Sequence, residues 1–285
     1  MKNKSSIFLS RYLPSSTTPI PYSFFPMLTS LQNPLVKQLR KLHQAKERRQ
    51  QQLFLLEGTH LLEAAWAANC LLVTVCYTAE WQGRYPSLWE QVNQVAQRVE
   101  LVSPEVLRAI ATTVEPDGVV ATIERTSTPT PSFTSLGLVL ETVQDPGNLG
   151  TMIRTAAAAG AEGLLLSADS VDPDHPKVLR ASAGQWFQVP MAISSDLKAD
   201  ISHYQQQGMQ VISTLPTATL TYWQIDLRPP TLILLGNEGA GLSPKLAGLA
   251  DHQVTIPQSS GVESLNVAIA AALILYEAKR QRTGG

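Results

Sequence analysis

The sequence predicts an α/β fold divided into two domains. Apolar strand-like runs alternate with helical patterns between residues 53 and 123, and the alternation starts again at residue 136. Between them lies TSTPTPSFTS, residues 126–135, whose proline, serine and threonine content is typical of a linker. A chain of 285 residues, 44% of them hydrophobic, is long enough for two modest cores. We therefore predict a smaller domain over residues 27–125 and a larger one over residues 136–285.

The first 26 residues are rich in serine, threonine and proline and lack a continuous apolar core, so they do not resemble a secretory signal. We predict a disordered tail. Met27 directly precedes the first patterned segment and is an alternative start. A transit peptide is less favoured, because the stretch has few arginines.

The composition excludes several classes of protein. Cys70 and Cys76 are the only cysteines and form no CxxC pair, and the five histidines lack metal-ligand spacing. We therefore expect no metal site, and a reduced, cytoplasmic environment. No apolar run approaches the length of a membrane span, so no membrane association is expected.

The smaller domain opens with a basic helix. Asn33 and Pro34 are a favourable cap and first helical residue, and leucines follow at helical spacing. Charge alone fits both a solvated face and a phosphate-binding helix. Beyond it we predict strands at 53–56, 71–77 and 119–123 and helices at 59–68 and around 89–96. The basic residues on the other faces of the first helix include Lys37, Arg40, Lys41, Arg48 and Arg49.

The larger domain also alternates strands and helices. Its strands and helices follow one another in turn, which favours a parallel sheet covered on both faces. The predicted strands are residues 136–142, 163–166, 187–193, 209–214 and 231–235, and the predicted helices are residues 151–159, 178–183 and 197–207.

The C-terminal stretch combines a strand, a loop of small polar residues and an apolar helix. The strand is predicted over residues 253–256 and the helix from near Ser264. Because AIAAALILYEA is apolar nearly all round, this helix should be buried in the protein or in a dimer interface. Ser264 and Asn266 lie at the helix start, where they either cap free amides or face a ligand. Capping is the favoured interpretation for Ser264.

Two glycine-containing turns follow predicted strands. DPGNLG, residues 145–150, leads into a helix that carries Arg154, and Asn148 is predicted to cap that helix. GNEGAG, residues 236–241, places Glu238 at the tip of a turn. Its spacing matches neither a dinucleotide fingerprint nor a P-loop, so a turn without a ligand is the default interpretation.

These two turns and the C-terminal loop each lie at the carboxyl end of a predicted strand in one domain. Open α/β sheets bind ligands at that edge, in the crevice outside the strand ends. Independent surface features would not be expected to fall there together. The sequence therefore predicts one shared site.

The segments DPGNLGTMIRTAAAAGA, LLGNEGAGLS and IPQSSGVESLNVAIAAALILYEAKRQR resemble the three motifs of the SpoU (TrmH-type) RNA ribose 2'-O-methyltransferases. The likeness spans the whole second domain, in the right order and spacing, and HPKVLRASAGQWFQVPM resembles the stretch between the first two motifs. The N-terminal SLQNPLVKQLRKLHQAKERRQQQLFLLEG is similar to the substrate-binding domain of the rRNA branch, which has a ribosomal-protein-like α/β fold.

This resemblance implies an α/β knot, with a deep trefoil knot at the C-terminus, and a homodimer. It also implies S-adenosylmethionine as methyl donor and no metal. The donor would lie bent in the knotted loops, held mainly by backbone groups in an apolar slot. The positions implied for cofactor binding are Thr214, Leu215, Gly236, Ile256 and Leu265.

The implied chemistry is an in-line attack of a ribose 2'-oxygen on the sulfonium methyl. The hydroxyl is a poor nucleophile until its proton leaves, and the family assigns that task to Arg154, reaching the partner subunit's cofactor. Whether this guanidinium acts as base or orients the hydroxyl and phosphate stays open, since arginine rarely gives up its proton. The groups implied to orient the ribose and Arg154 are Asn148, Glu238, Ser264 and Asn266.

Structured RNA is the implied substrate, with 23S ribosomal RNA favoured because of the separate N-terminal domain. The resemblance adds weight to RNA binding by the basic residues of the first domain. Two alternatives remain: a tRNA ribose 2'-O-methyltransferase, and a non-catalytic RNA-binding or ribosome-assembly factor on the same fold. The presence of Arg154 and of the Ser-Leu-Asn triplet argues against the second.

Overall fold

The computed structural model of the chain describes residues 26–125 and 130–284. Residues 1–25 of the predicted tail, and residues 126–129 of the predicted linker, lie outside the described residues.

The smaller domain is built on a four-stranded mixed sheet with the order β1-β4-β2-β3. The strand β4 pairs antiparallel with both β1 and β2, whereas β2 and β3 are parallel. The third strand was not predicted, because it is short and only partly buried and so lacks an apolar run. The strands are β1 (Leu53–Glu57), β2 (Leu72–Tyr77), β3 (Arg98–Leu101) and β4 (Val119–Glu124).

Helices cover both faces of this sheet. Leu55 points into the core shared with α1 and α6, while its neighbours Phe54 and Leu56 point into the core shared with α3 and α5. The Asn33 side chain caps α1 as predicted, accepting from the Leu35 N–H at 2.9 Å. Two short helices, α4 and α6, were missed, and the first basic helix ends at Lys41, so that Arg48 and Arg49 lie on a separate helix, α2. The helices are α1 (Pro34–Lys41), α2 (Ala45–Gln51), α3 (Thr59–Ala67), α4 (Ala79–Arg84), α5 (Pro86–Val95) and α6 (Pro104–Ile110).

The larger domain contains a seven-stranded sheet with the order β7-β6-β5-β10-β8-β11-β9, and every pairing in it is parallel. The predicted parallel sheet is therefore confirmed. The strands are β5 (Leu136–Leu140), β6 (Leu164–Ser167), β7 (Met191–Ser194), β8 (Gln210–Thr214), β9 (Leu220–Thr221), β10 (Thr231–Leu235) and β11 (His252–Thr255).

One strand boundary in this domain was wrong. The strand predicted over residues 187–193 begins only at Met191, after Pro190, and Gln185–Phe187 form a single 3-10 turn instead. The aromatic residues of that turn pack against the core of the smaller domain, so their apolar character reflects a domain contact and not a strand.

Helices lie on both faces of the larger sheet. On one face α7 and α11 pack over Leu138 and Leu140, and on the other α9 and α10 pack over Val139. The helices are α7 (Pro146–Ala159), α8 (Pro176–Ala181), α9 (Leu197–Gln206), α10 (Pro244–Ala247) and α11 (Val267–Thr283). None of the helices in the described part of the chain is both long and apolar enough to span a membrane.

The second half of the predicted linker belongs to the larger domain. Phe133 is only 2% exposed and packs edge-on against Tyr204, with ring centroids 5.0 Å apart. The backbone N–H groups of Thr134 and Ser135 both donate to the Glu162 carboxylate. The serine and threonine content that is typical of a linker also suits residues that donate to a carboxylate, here that of Glu162.

The last helix begins later than predicted. Asn266 caps α11, accepting from the N–H groups of Ala268 and Ile269, so Ser264 lies in the loop before the helix and does not cap it. The strand that precedes this loop, β11, is inserted between β8 and β9. The trefoil knot implied by the resemblance stays a prediction.

Candidate active site

A cavity of about 240 Å³ opens at the carboxyl ends of β8, β10 and β11. Its walls come from the loops that follow these three strands. All five positions implied for cofactor binding line it, and so do two of the residues implied for catalysis. These are Thr214, Leu215, Gly236, Ile256 and Leu265, with Glu238 and Ser264.

The chemistry of the lining fits S-adenosylmethionine. The Thr214 hydroxyl oxygen is buried and has no hydrogen-bond partner in the described chain, so a ligand group can supply one. Leu235, Leu242 and Val267 add apolar walls suited to an adenine ring. Among the described residues, no group of three or more His, Cys, Asp or Glu side chains could hold a metal ion.

The second turn is closed so tightly that only glycine fits at its start. A Cβ atom on Gly236 would lie 2.2 Å from the backbone of Gly241 and Leu242. The Asn237 side chain holds the turn from inside, because its Oδ1 accepts from the N–H groups of Gly239 and Ala240 at 2.9 Å. The backbone of this turn can therefore approach a ligand without an intervening side chain.

The cap of α7 is Asp145 and not Asn148, which corrects the sequence prediction. The Asp145 Oδ1 accepts from the Asn148 N–H at 2.9 Å, and Pro146 takes the first helical position. The backbone N–H of Asn148 lowers the pKa of Asp145, with a further contribution from Lys177. Because Asp145 caps the helix, the Asn148 side chain is free for other contacts.

One chain of hydrogen bonds joins the three motifs at the edge of the cavity. The Glu238 Oε1 accepts from the Asn148 Nδ2 at 3.1 Å and from the Asp145 N–H at 3.0 Å. The Asn148 Oδ1 in turn accepts from the Asn266 Nδ2 at 2.9 Å. Three of the side chains implied for catalysis are thus held by one another, and we call this Glu238–Asn148–Asn266 series the rim network.

Glu238 is ionised in this network. Burial alone raises its pKa, but donation from the Asp145 backbone and the Asn148 side chain outweighs burial and leaves that pKa below its usual value. The carboxylate therefore acts as an anchor that fixes the first motif against the second.

Arg154 stands apart from the rim network. It is exposed on α7 and makes no hydrogen bond or ion pair with any of the described residues. It is also not among the residues that line the cavity of its own chain. Its guanidinium is therefore available to a ligand or to another subunit.

Asn237 lines the cavity and supports the turn, and the sequence analysis did not single it out. Its Nδ2 donates to the Thr142 carbonyl at 2.9 Å, and Thr142 has a left-handed φ of 55°. This bond fixes an unfavourable backbone conformation directly before the first motif. An asparagine in a glycine-rich turn was a usable signal, since its side chain readily bonds nearby backbone.

The structure separates the basic residues of the first domain into two kinds. Lys37, Arg40 and Lys41 are exposed, and within the described residues they make no ion pair. Arg49 is 58% exposed at its side chain and pairs with Asp172 at 2.7 Å.

The prediction that Arg48 contacts RNA is wrong. Its side chain is 1% exposed and pairs with Asp172 and Asp174 of the larger domain. A phosphate cannot reach a guanidinium that is buried between two carboxylates.

Two family models match the chain in series. The SpoU rRNA Methylase family matches residues 135–276, and the MRM3-like substrate binding domain matches residues 33–121. The two matches correspond to the larger and the smaller domain.

Relatives share this arrangement over nearly their whole length. An uncharacterized tRNA/rRNA methyltransferase of Synechocystis is 52% identical over 257 residues, covering 90% of this chain and 94% of the relative. The 23S rRNA (guanosine(2553)-2'-O)-methyltransferase RlmP of Bacillus subtilis is 32% identical, covering 87% of this chain and 97% of its own. The structure of an AdoMet-bound rRNA methyltransferase from Sinorhizobium meliloti superposes with a TM-score of 0.79 at 34% identity, covering 89% of this chain and 97% of its own.

Fold, cavity and relatives define the class of protein: the chain is an RNA methyltransferase that uses S-adenosylmethionine. More particularly, it belongs to the SpoU rRNA methylase family and carries an MRM3-like substrate-binding domain before the catalytic one. The resemblance drawn from the sequence motifs is thereby confirmed.

Proposed function

We propose that this enzyme transfers a methyl group from S-adenosylmethionine to a ribose 2'-oxygen of 23S ribosomal RNA. Relatives named for this reaction support the assignment, among them RlmP of Bacillus subtilis and a 23S rRNA (uridine(2479)-2'-O)-methyltransferase of Streptomyces viridochromogenes. RlmP matches this chain across both domains, so the substrate-binding domain is part of the likeness.

The observation that carries the proposal is the rim network at the mouth of the cavity. Glu238 fixes the amide of Asn148, and Asn148 together with the α11 backbone fixes that of Asn266, so both can hold a ribose without first reorganising. Ser264 lines the same cavity and is exposed there. When bound, S-adenosylmethionine supplies a methyl group already activated by its sulfonium charge.

Arg154 is the residue that we assign to the attacking 2'-hydroxyl. Its exposed guanidinium offers donors in a fixed planar arrangement, which suits the 2'-oxygen and an adjacent phosphate together. We assign it the orientation of the hydroxyl in the transition state, where the 2'-oxygen bonds to the methyl carbon and gives up its proton to solvent water.

The donor itself is assigned to the three loops around the cavity. The backbone of Leu215, Gly236, Ile256 and Leu265 would hold it, with the Thr214 hydroxyl as an additional polar contact. The tight turn at Gly236 excludes side chains from this approach.

A homodimer completes the proposal. The outer face of α11 carries Ile269, Leu273 and Tyr276, which are 50%, 36% and 50% exposed, and they line a groove of about 430 Å³. A contiguous apolar face of this kind on a helix otherwise packed on α7 is typical of a subunit interface. Because Arg154 does not line its own cavity, we propose that it reaches the cavity of the partner subunit.

Mixing two inactive variants tests this arrangement. Arg154→Ala removes the guanidinium, and Leu265→Trp fills the cavity at a residue that is already 36% exposed. If Arg154 acts across the interface, random reassociation of the two variants restores about a quarter of the sites. If it acts within one chain, every mixed dimer stays inactive.

RNA affinity is assigned to the exposed cations of α1, namely Lys37, Arg40 and Lys41, together with the exposed Arg49 of α2. Contacts from such residues to phosphates supply binding without reading sequence. A 23S ribosomal RNA substrate would place the enzyme in the cytoplasm, where ribosomes are assembled.

Mapping of 2'-O-methyl groups across total RNA, with and without the gene, tests the substrate. We expect one ribose of 23S ribosomal RNA to lose its methyl group in the deletion and regain it when the purified enzyme and S-adenosylmethionine are added. Loss of a tRNA methyl group instead would replace the rRNA assignment by the tRNA alternative. An unchanged map, together with RNA binding, would favour the non-catalytic assembly factor.

A further inference from the structure

The boundary between the two domains contains a buried ionic cluster. Arg48 of α2 donates from Nε to the Asp174 Oδ1 at 3.0 Å and from Nη2 to the Asp172 Oδ2 at 3.3 Å. Both carboxylate side chains are 5% exposed, and Arg125, directly after β4, donates to Asp174 as well. Breaking a buried pair leaves an unpartnered charge, so this cluster disfavours any docking geometry that separates these side chains. We call it the seam cluster.

Apolar side chains reinforce the same docking. Leu179 of α8 is fully buried within the core of the smaller domain, and Trp186 packs on Phe54 with ring centroids 5.2 Å apart. The smaller domain is therefore seated on α8 and the turn after it, not merely tethered by a linker.

A second ion pair joins α8 to the smaller domain at its edge. The Arg180 Nη1 donates to the Glu57 Oε2 at 2.7 Å and to the Thr112 Oγ1 at 2.8 Å. The Glu57 side chain is 2% exposed, whereas that of Arg180 is 29% exposed. Only the Arg180 side of this pair is accessible to substitution, and without it the Glu57 carboxylate still accepts from the Thr112 N–H and Oγ1.

The opposite side of α8 touches the catalytic helix. A Cβ atom on Gly150 of α7 would lie 2.5 Å from the Ala181 Cβ and 2.6 Å from the Val178 carbonyl oxygen. The two helices are thus in direct contact one turn before Arg154. A single short helix connects the RNA-facing domain on one side to the arginine-bearing helix on the other.

From this geometry we propose that α8 is a fixed bridge and that the seam cluster, with the Arg180–Glu57 pair, selects which ribose is methylated. The proposal rests on the proposed function. Neighbouring riboses of one RNA are chemically alike, so the distance between the phosphate-binding face of α1 and Arg154 must distinguish them. The seam residues are positioning residues, since they act through α8 and do not touch the substrate.

The test uses the double variant Arg125→Gln/Arg180→Gln in the full chain. Both side chains are about one quarter exposed, at 26% and 29%, so the variant should stay folded. We expect kcat/KM for 23S RNA to fall by about 10- to 100-fold through kcat, because a small misplacement is costly in catalysis. We also expect part of the methyl to appear on neighbouring riboses, with the affinity for S-adenosylmethionine unchanged.

Two further variants sharpen this test. Arg98→Gln is a matched control, because Arg98 pairs with Glu100 at 2.6 Å on the surface of the smaller domain and away from the seam. It should methylate the wild-type ribose at the wild-type rate. Arg180→Lys keeps a cationic donor towards Glu57. The double variant Arg125→Gln/Arg180→Lys should therefore place most of the methyl groups on the wild-type ribose.

The proposal is overturned if the double variant methylates only the wild-type ribose at the wild-type rate. It is also overturned if activity is lost together with S-adenosylmethionine binding, since the seam would then serve only the fold of the catalytic domain. If the wild type methylates another RNA, the rRNA assignment fails, and the same comparison of positions is made on that RNA. A wild type that methylates no RNA overturns both proposals.

Discussion

The seam cluster and the rim network are two polar regions of one molecule with opposite exposure. In the seam, Arg48 is 1% exposed and lies between two carboxylates. At the rim, Glu238, Asn148 and Asn266 are bonded to one another but open to solvent, and Arg154 beyond them has no partner in the described chain. Arg48 thus stabilises the contact between the domains, whereas the guanidinium of Arg154 is left available for a substrate.

The largest expected effect on activity comes from the unpaired cation. Arg154→Ala should lower methyl transfer by at least about 10²- to 10³-fold, as expected for loss of a preorganised transition-state contact. The melting temperature and the affinity for S-adenosylmethionine should not change, because Arg154 supports no contact within the described residues. Arg228→Ala, at an exposed ion pair with Asp226, is the control. Activity near the wild-type level in Arg154→Ala would remove this residue from the mechanism.

The converse change should break the seam. Arg48→Ala leaves Asp172 and Asp174 buried with fewer cations, which should cost about 3–5 kcal/mol of unfolding free energy. Denaturant titration of the two arginine variants side by side measures the contrast. Equal stability of Arg48→Ala and Arg154→Ala would contradict the distinction between the two regions.

An intermediate effect is expected at the exposed cations of α1. Charge reversal at Lys37, Arg40 and Lys41 should weaken RNA binding. The slope of the logarithm of the affinity against the logarithm of the salt concentration should become shallower by roughly 2 to 3. Binding isotherms at several salt concentrations give this slope, and S-adenosylmethionine affinity should stay constant. An unchanged slope would show that the basic face of α1 is solvated and does not bind the RNA phosphates.

The smallest effect should be the pH response of the rim. The pKa of Glu238 is lowered in the folded protein, so its ionised form stabilises the fold above the ordinary value of 4.5. That contribution is lost as the pH falls from this value through the lower folded-state pKa. Melting curves between neutral and acidic pH should therefore show a smaller acid-induced loss in Glu238→Gln than in the wild type. If the melting temperatures of Glu238→Gln and the wild type fall equally with pH, the ionisation of Glu238 does not contribute to stability.

Local signals in the sequence predicted most of the elements that position the site. The glycine turn before α7, the buried strand β10 and the cap at Asn33 all follow from residues within a few positions of one another. Competing caps were harder to separate. Asp145 and Asn148 are both good caps, and Pro146 decides between them because it takes the first helical position.

Contacts between distant residues could not be predicted in this way. Arg48 looked like its neighbours on a basic helix, yet its partner Asp174 lies 126 residues further along the chain. The burial of Phe133 likewise depends on Tyr204 of another element. Periodicity and charge describe one segment at a time, and they carry no information about which segments meet.

The insertion of β11 between β8 and β9 has a consequence for the newborn polypeptide. The sheet of the smaller domain is complete once residue 124 has been synthesised, whereas β9 has no neighbour other than β11 within the described sheet. During translation the four strands of the smaller sheet can therefore pair early, although Leu179 completes the core beside them only later, while the cavity waits for β11 and Val267 to leave the ribosome. Termination before His252 would leave β8 and β9 without the strand that lies between them, and it would remove Ile256, Ser264 and Leu265 from the cavity.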